Sequence, residues 1–399
     1  MKFRTFALTL LMLTAPAAPA VPTTPGQVQP VAPGTRAETA LPQLHLTPPI
    51  PQVAHIEYAS NGHLTVAHAL LLLQPDEQAR ARTLAAETAR RALQALPTLS
   101  EVDVSVYHRS TYAGPGGPLP LFTASVPRAR LQDFARYATN AGPYERAWTN
   151  PRPDAPGGSV WPARPRPPEA LATRTRALAA YGANRFAARL LGGDRDGLIY
   201  WGNTGQPLAA LTFDDAPHPL YAPLVLDALR RAGVRATFFC IGRNAEAYPY
   251  FVRDMVAQGH EVANHTYHHV RLPDLPAAQV REELLRTNAV LQGITGRPVR
   301  YFRPPGGRFT PQVLDAARDA GLVTAFWTND PADFANHGDT VLLGRLDRLR
   351  GDGIALLHDN APAALRILPE FLQRMNARRL RLVSLGELAG TFRPVVARK

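Results

Sequence analysis

The sequence of 399 residues contains a single cysteine, Cys240. One thiol permits no intramolecular disulfide framework and no cysteine-based zinc finger. Lysine is almost missing as well, occurring only at Lys2 and Lys399, so the 44 basic residues are nearly all arginine and the formal charge is +12. That charge is not concentrated anywhere. Residues 21–204 hold 18 basic and 13 acidic side chains, a balance of +5, and residues 205–399 hold 24 and 19, again +5. The chain lacks the basic stripe or tail of a dedicated nucleic-acid binder, and no nucleic-acid partner is expected. An even positive balance suits weak attraction to anionic surfaces such as a cell wall. No apolar run reaches the ~20 residues that a membrane-spanning helix needs. What is present, 45% hydrophobic and 19% charged residues, is ordinary for a globular protein and speaks against a fibre, a coiled coil or a disordered chain.

Residues 1–20 have the plan of a secretory signal peptide: Lys2 and Arg4, an apolar run over residues 6–15, then Ala18-Pro19-Ala20 as a small-residue cleavage site. Export follows as an expectation, to the periplasm, the medium or the envelope; an uncleaved membrane anchor is the competing reading. Residues 21–52, rich in Pro, Thr, Ala and Gly, predict a disordered spacer. A small α+β domain of unknown role is predicted for residues 53–140. Its hairpin turns at Asn61-Gly62, its helix spans 76–96, and Val102, Val104 and Val106 alternate as a half-buried strand. His55, His63 and His68 read there as partly exposed strand residues. Residues 141–204, with eight prolines between 143 and 168, predict a semi-rigid linker followed by a helix over 169–191.

From residue 205 to 392 the rhythm changes. Seven short apolar runs, at 208–213, 236–240, 261–263, 299–302, 322–327, 354–357 and 380–383, alternate with amphipathic helices such as 222–232, 277–292 and 311–320. Strands alternating with helices of 10–15 residues imply a parallel sheet, and seven strands in under 200 residues favour an α/β architecture of closed or nearly closed barrel type. Residues 393–399 form a basic tail. Cys240 reads as a packing residue, and Tyr248 and Tyr250 as loop surface.

In such barrels the chemistry sits at the C-terminal strand ends, and polar residues recur there. Asp214 and Asp215 end the first strand, and His265 to His269 follow the third. Arg303 to Gly307 follow the fourth, Asp330 to Asp333 the fifth, and His358 ends the sixth. His265 and His269, four apart, aim both imidazoles one way on a helical turn. With one carboxylate they make a two-histidine, one-carboxylate set that suits a divalent transition metal, zinc by default for hydrolysis. His268 competes with His269, at a less favourable spacing. Two adjacent carboxylates are costly as packing; they make sense if one binds metal and the other stays free as a base. His358 would then supply an acid. The same ligand set also fits a non-haem iron oxygenase, but a free Asp and a further His favour hydrolysis.

Residues 208–388 resemble the NodB-type polysaccharide deacetylases, carbohydrate esterase family four, and contain all five family motifs in order. The resemblance implies a distorted (β/α) barrel and removal of N-acetyl groups from peptidoglycan or chitin-like oligomers, or of O-acetyl groups from xylan. It implies Asp214 as base and Asp215, His265 and His269 as metal ligands, with Zn²⁺ or Co²⁺ bound. It implies Arg303 as the residue orienting the base, Gly306 as an oxyanion donor, and Asp333 as the residue tuning the acid. It implies Phe334 and Leu356 as walls of the acetyl pocket and His358 as the acid itself. Three positions depart from the family pattern: Ala216 for glycine, expected to disturb a tight turn; Phe334 for tryptophan; and Gly306 for an aromatic residue. The expected protein is an exported monomeric hydrolase of glycan polymers; a catalytically weak glycan-binding module is the alternative from another class.

Overall fold

The computed structural model describes residues 27–28, 41–114, 117–153, 161–162 and 188–391. The predicted signal peptide, nearly all of the first part of the spacer, half of the proline cluster, most of the predicted 169–191 helix and the predicted basic tail lie outside the described residues.

The first folded unit is a five-stranded sheet, β1 (Val53–Ser60), β2 (Thr65–Leu73), β3 (Glu101–His108), β4 (Phe122–Pro127) and β5 (Ala147–Thr149), paired in that order. The hairpin forms as the Asn61-Gly62 signal predicts: Ser60 pairs Thr65, and the Asn61 side chain caps the turn by accepting from the backbone N–H of His63 and Leu64. Helices α1 (Ala81–Ala95) and α2 (Leu131–Ala138) cover one face over a core of Val102, Val104, Val106, Phe122 and Phe134. The domain is longer at both ends than its sequence pattern suggests. Residues 41–52 are no disordered spacer, because Leu46 and Ile50 bury into this core and Leu44 bonds Ile56. At the other end, Tyr144 and β5 belong to the domain rather than to the linker.

The second unit is a curled sheet of eight parallel strands: β6 (Leu198–Ile199), β7 (Leu208–Ala216), β8 (Thr237–Cys240), β9 (Glu261–Asn264), β10 (Tyr301–Phe302), β11 (Val323–Ala325), β12 (Ile354–His358) and β13 (Arg381–Val383). Their order is β12-β7-β8-β9-β10-β11-β6, with β13 paired to β7. All seven predicted strands form. The eighth, β6, comes from residues expected to be linker; two residues are too few to leave a periodic signature. Beyond β11, Asn329 bridges to Ala355 of β12, so the sheet nearly closes on itself as a distorted barrel.

Alternation sorts the side chains of β7. Leu211 and Phe213 point out against the helices α3 (Ala222–Ala232) and α4 (Pro362–Ala377), while Ala210 points into the barrel with Phe239, Tyr301 and Ile354. Thr212 and Asp214 share that inward face, since side chains alternate along a strand. Helix α3 ends as predicted at Gly233, whose φ of 65° is the left-handed geometry that a C-cap requires. Cys240 is buried and structural.

The two units are packed together. Val66 joins the barrel's outer core, Ser105 Oγ lies 3.0 Å from Tyr248 Oη, and Arg146 pairs with Asp254 at 2.8 Å. This contact corrects two expectations. Strand β3 is buried on both faces rather than half-buried, since Asp103 and Ser105 point at the barrel instead of water. Tyr248 and Tyr250 are not loop surface; they are buried in this interface, at 6% and 1% exposure. Burial and the neighbouring Glu101 hold the Asp103 carboxyl well above its usual range.

Candidate active site

Each predicted site residue stands at the C-terminal rim of the barrel. Strand β7 ends in Thr212-Phe213-Asp214-Asp215-Ala216, and Asp215 takes a φ of 66°. That turn swings neighbouring carboxylates into one space instead of onto opposite faces. Ala216 follows without a positive φ, is joined to Pro217 by a cis peptide bond, and has a fully buried methyl that packs in the outer core. The expected disturbance from its methyl group is therefore absent, because the left-handed position is Asp215.

After β9 the chain turns sharply, with positive φ at Thr266 and His269. Asn264 Oδ1 accepts from Thr266 N–H and Thr266 Oγ1 from His269 N–H. This loop is not a helical turn, yet it brings His265 and His269 together, their ring centroids 5.0 Å apart. His269 Nε2 lies 3.1 Å and His265 Nε2 3.5 Å from Asp215 Oδ1. His268 is turned away, with Nδ1 on Glu283 at 2.6 Å. His265 is oriented from behind, its Nδ1 lying 2.8 Å from the Arg303 carbonyl, which directs Nε2 into the site.

The three ligand atoms of Asp215, His265 and His269 lie within 4.8 Å of one another. Asp215 Oδ1 is buried and makes no hydrogen bond, an arrangement that costs free energy unless something charged completes it. Burial alone would raise the Asp215 carboxyl, but His269, His265 and His358 hold it well below the usual carboxylate range. A buried, ionised oxygen facing two imidazole nitrogens fits a divalent cation.

Asp214 is held differently. Arg303, fully buried at the end of β10, donates from Nη1 to Asp214 Oδ1 at 2.7 Å and to Thr212 Oγ1 at 2.9 Å. Its Nη2 donates to the Phe326 carbonyl, and Phe239 stacks 4.1 Å from the guanidinium carbon. The other Asp214 oxygen stays 3.7 Å from His265 Nε2, inside the site.

On the opposite wall, His358 Nδ1 lies 2.7 Å from Asp333 Oδ1, and Asp333 Oδ2 accepts from the His358 backbone N–H at 2.8 Å. Burial works against charging this imidazole. The Asp333 carboxylate, with Asp215 and Asp214 behind it, outweighs burial and pushes His358 up to about 10. The His358 imidazole is thus held in its charged form at neutral pH. Phe334 stands edge-on to the His358 ring with centroids 5.4 Å apart and remains 39% exposed, an apolar lip at the mouth. Leu356 lies two residues below His358 on the inward face of β12.

Gly306 has a φ of 63° with open space where a Cβ would stand, so its backbone, not crowding, calls for glycine. Gly307 is constrained twice, by a φ of 64° and by Trp327, whose ring would meet a Cβ at 2.7 Å. Trp327 also flanks Arg303, its ring centroid 5.5 Å away. Gly307→Ala is therefore expected to cost about 1–3 kcal/mol and to lower the unfolding midpoint, read by circular dichroism in urea.

Sequence reasoning missed Asn360 and His218, and gave no role to Thr212 and Asp359, polar residues at the strand ends. Asp359 is fully buried and accepts from the His218 N–H at 2.7 Å, and burial pushes its carboxyl up to about 7. Asn360 donates to Asp215 Oδ2 at 3.3 Å. Polar residues adjoining a motif were the available signal.

Residues 202–325 match the family described as polysaccharide deacetylase. A chitooligosaccharide deacetylase of Sinorhizobium fredii is 43% identical over 164 residues, covering 40% of this chain and 75% of the relative. The chain belongs to the polysaccharide deacetylase family. A peptidoglycan-N-acetylglucosamine deacetylase of Bacillus cereus is 33% identical over 193 residues, covering 46% of this chain and 88% of the relative. Among solved structures, a family 4 carbohydrate esterase from Streptomyces lividans in complex with acetate is 31% identical over 48% of this chain and 98% of that one, with a TM-score of 0.44. The enzyme is accordingly a hydrolase of the polysaccharide-deacetylase class, as the five motifs implied.

Proposed function

We propose that this polysaccharide deacetylase is an exported, metal-dependent enzyme that hydrolyses N-acetyl groups of N-acetylglucosamine units, in peptidoglycan or chitin-like oligomers. The observation that carries the reading is the division of labour at one rim. Asp215 offers an oxygen beside two imidazole nitrogens, Asp214 has one oxygen fixed by Arg303, and His358 is held protonated by Asp333. Relatives named for both glycan classes support the substrate range. The charged and apolar N-terminal residues support export, and among the described residues no helix is long and apolar enough to cross a membrane.

Asp215, His265 and His269 would hold the ion, zinc by donor type, with cobalt as a workable substitute. When bound, it supplies Lewis-acid polarisation of the acetyl carbonyl. The chain's own groups do the rest. Asp214, one oxygen fixed by Arg303, takes the proton of the attacking water with the other. The Gly306 N–H donates to the oxygen on which negative charge develops. His358 passes its proton to the departing amine, and Asp333 stabilises and orients the imidazole while it waits. Phe334 and Leu356 form apolar walls for the acetyl methyl.

The test is to incubate the protein with chitooligosaccharides, peptidoglycan fragments and acetylated xylan, with and without chelator, reading acetate and free amine. Acetate and amine released together, abolished by chelator and restored by zinc or cobalt, are the expected result. Acetate without amine, from acetylated xylan alone, would make the enzyme an O-acetyl esterase. No acetate from any substrate would leave a glycan-binding module.

A further inference from the structure

The two neighbouring carboxylates of the site are each tied down by one oxygen, but by donors of different charge. Asp214 receives an arginine. Asp215 receives the side-chain amide of Asn360, Nδ2 donating to Oδ2 at 3.3 Å, while Oδ1 is left without a hydrogen bond and faces His265 and His269. A terminal carboxylate torsion is broad and roughly two-fold. Unbraced, the group could turn either oxygen, or neither squarely, toward the two imidazoles. Asn360 itself is buried, at 6% exposure, on the turn that leaves β12 immediately after the acid. That turn is pinned to the first motif at two further points. Asp359 N–H donates to the Asp214 carbonyl at 2.9 Å, and Asp359 Oδ2 accepts from His218 N–H at 2.7 Å. The brace therefore comes from a rigid segment rather than from a free side chain.

The neutrality of the donor matters. A lysine or arginine at position 360 could hold Oδ2 equally well, but its positive charge would stand beside the place where a cation must bind. At Asp214, where no cation is to be coordinated, the donor is a full guanidinium. An uncharged amide satisfies one oxygen and leaves the carboxylate's negative charge for an ion. Partners of this kind, behind the ligands proper, commonly govern metal affinity.

We infer that Asn360 is the positioning residue of the carboxylate ligand: it holds Asp215 Oδ2 so that Oδ1 is presented, with His265 and His269, to the metal. The inference rests on the proposed assignment of those three residues as ligands. It concerns affinity first and turnover only through it.

The experiment measures zinc affinity of the full chain by competition with a chromophoric chelator, alongside the visible spectrum of the cobalt form. Asn360→Ala and the bulkier Asn360→Leu, which fills the space without a donor, are compared with the parent, with His265→Ala, and with Asp215→Ala alone and combined with Asn360→Ala. Zinc binding about 10–100-fold weaker in both Asn360 variants is expected, with an altered cobalt spectrum. In the Asp215→Ala background the Asn360 change should bring no further loss, because the carboxylate it acts on is gone. Parent-like affinity in the Asn360 variants would overturn the inference alone, provided that His265→Ala still loses zinc. An equal loss with and without Asp215 would also overturn it, showing a general effect on the fold. A parent protein that binds no zinc would sink the ligand assignment, and the inference with it.

Discussion

Replacing Arg303 with methionine is expected to destabilise the metal-free protein by about 3–5 kcal/mol, the usual cost of removing one partner from a buried ion pair. Both groups are deeply buried, Arg303 at 0% and Asp214 at 4% exposure. The guanidinium also satisfies Thr212 Oγ1 and the Phe326 carbonyl. Without it, the Asp214 carboxylate faces a second carboxylate with no cation of the chain's own against its Oδ1. Equilibrium unfolding in urea with chelator present reads the change. The mechanism makes a further demand: Asp214→Asn in the Arg303→Met background should recover part of the loss, since the carboxylate left without its guanidinium is then gone. If the double variant is less stable than Arg303→Met alone, the buried charge is not the cause. Activity should fall with Arg303→Met as well, because the base loses the contact that holds it in place.

His358→Asn is expected to lower kcat/KM on N-acetylated oligomers about 10²–10⁴-fold, the range spanned by a general acid or base. The loss should be much smaller on an activated acetyl ester, whose leaving group needs no protonation. A uniform loss on both substrates would mean that His358 serves the binding of the acetyl group and not the amine. Asp333→Asn gives the pH signature. His358 is raised by its surroundings from 6.5 to about 10, so the acid form persists below that value and activity falls as pH rises through it. Removing the Asp333 charge withdraws the main stabiliser of the imidazolium, so the alkaline limb should move down from about 10 toward 6.5. An alkaline limb unmoved by Asp333→Asn would assign that limb to another group.

The grouping of the candidate site residues was legible in the sequence, and the reason is local. The candidate metal ligands and base come from two short stretches, Asp214-Asp215 and His265 to His269, whose geometry is set within a few residues by positive φ angles and by short-range bonds such as Thr266 to His269. Strand periodicity likewise located all seven predicted strands, because alternation and helix-ending glycines are properties of neighbouring residues. The reason given for pairing His265 with His269 was less sound than the pairing itself. They meet across a tight loop, not on a helical turn.

Other features were decided by parts of the chain far apart. The polar face of β3, Asp103 and Ser105, has the pattern of a strand turned to water. Only the docking of one folded unit on the other buries it. Residues 41–52 have a spacer's composition, yet Leu46 and Ile50 find a core to cover. The same holds within the site. Nothing in the alternation around position 360 shows that an amide will meet a carboxylate 145 positions earlier, or that Arg303 will reach Asp214 across 89. Sequence by itself determined which chemical groups the enzyme carries and on which strand ends they stand, since those depend on local backbone preferences. Tertiary structure alone decided which oxygen of each carboxylate is held and which is left free, because that depends on what closure of the barrel brings opposite it.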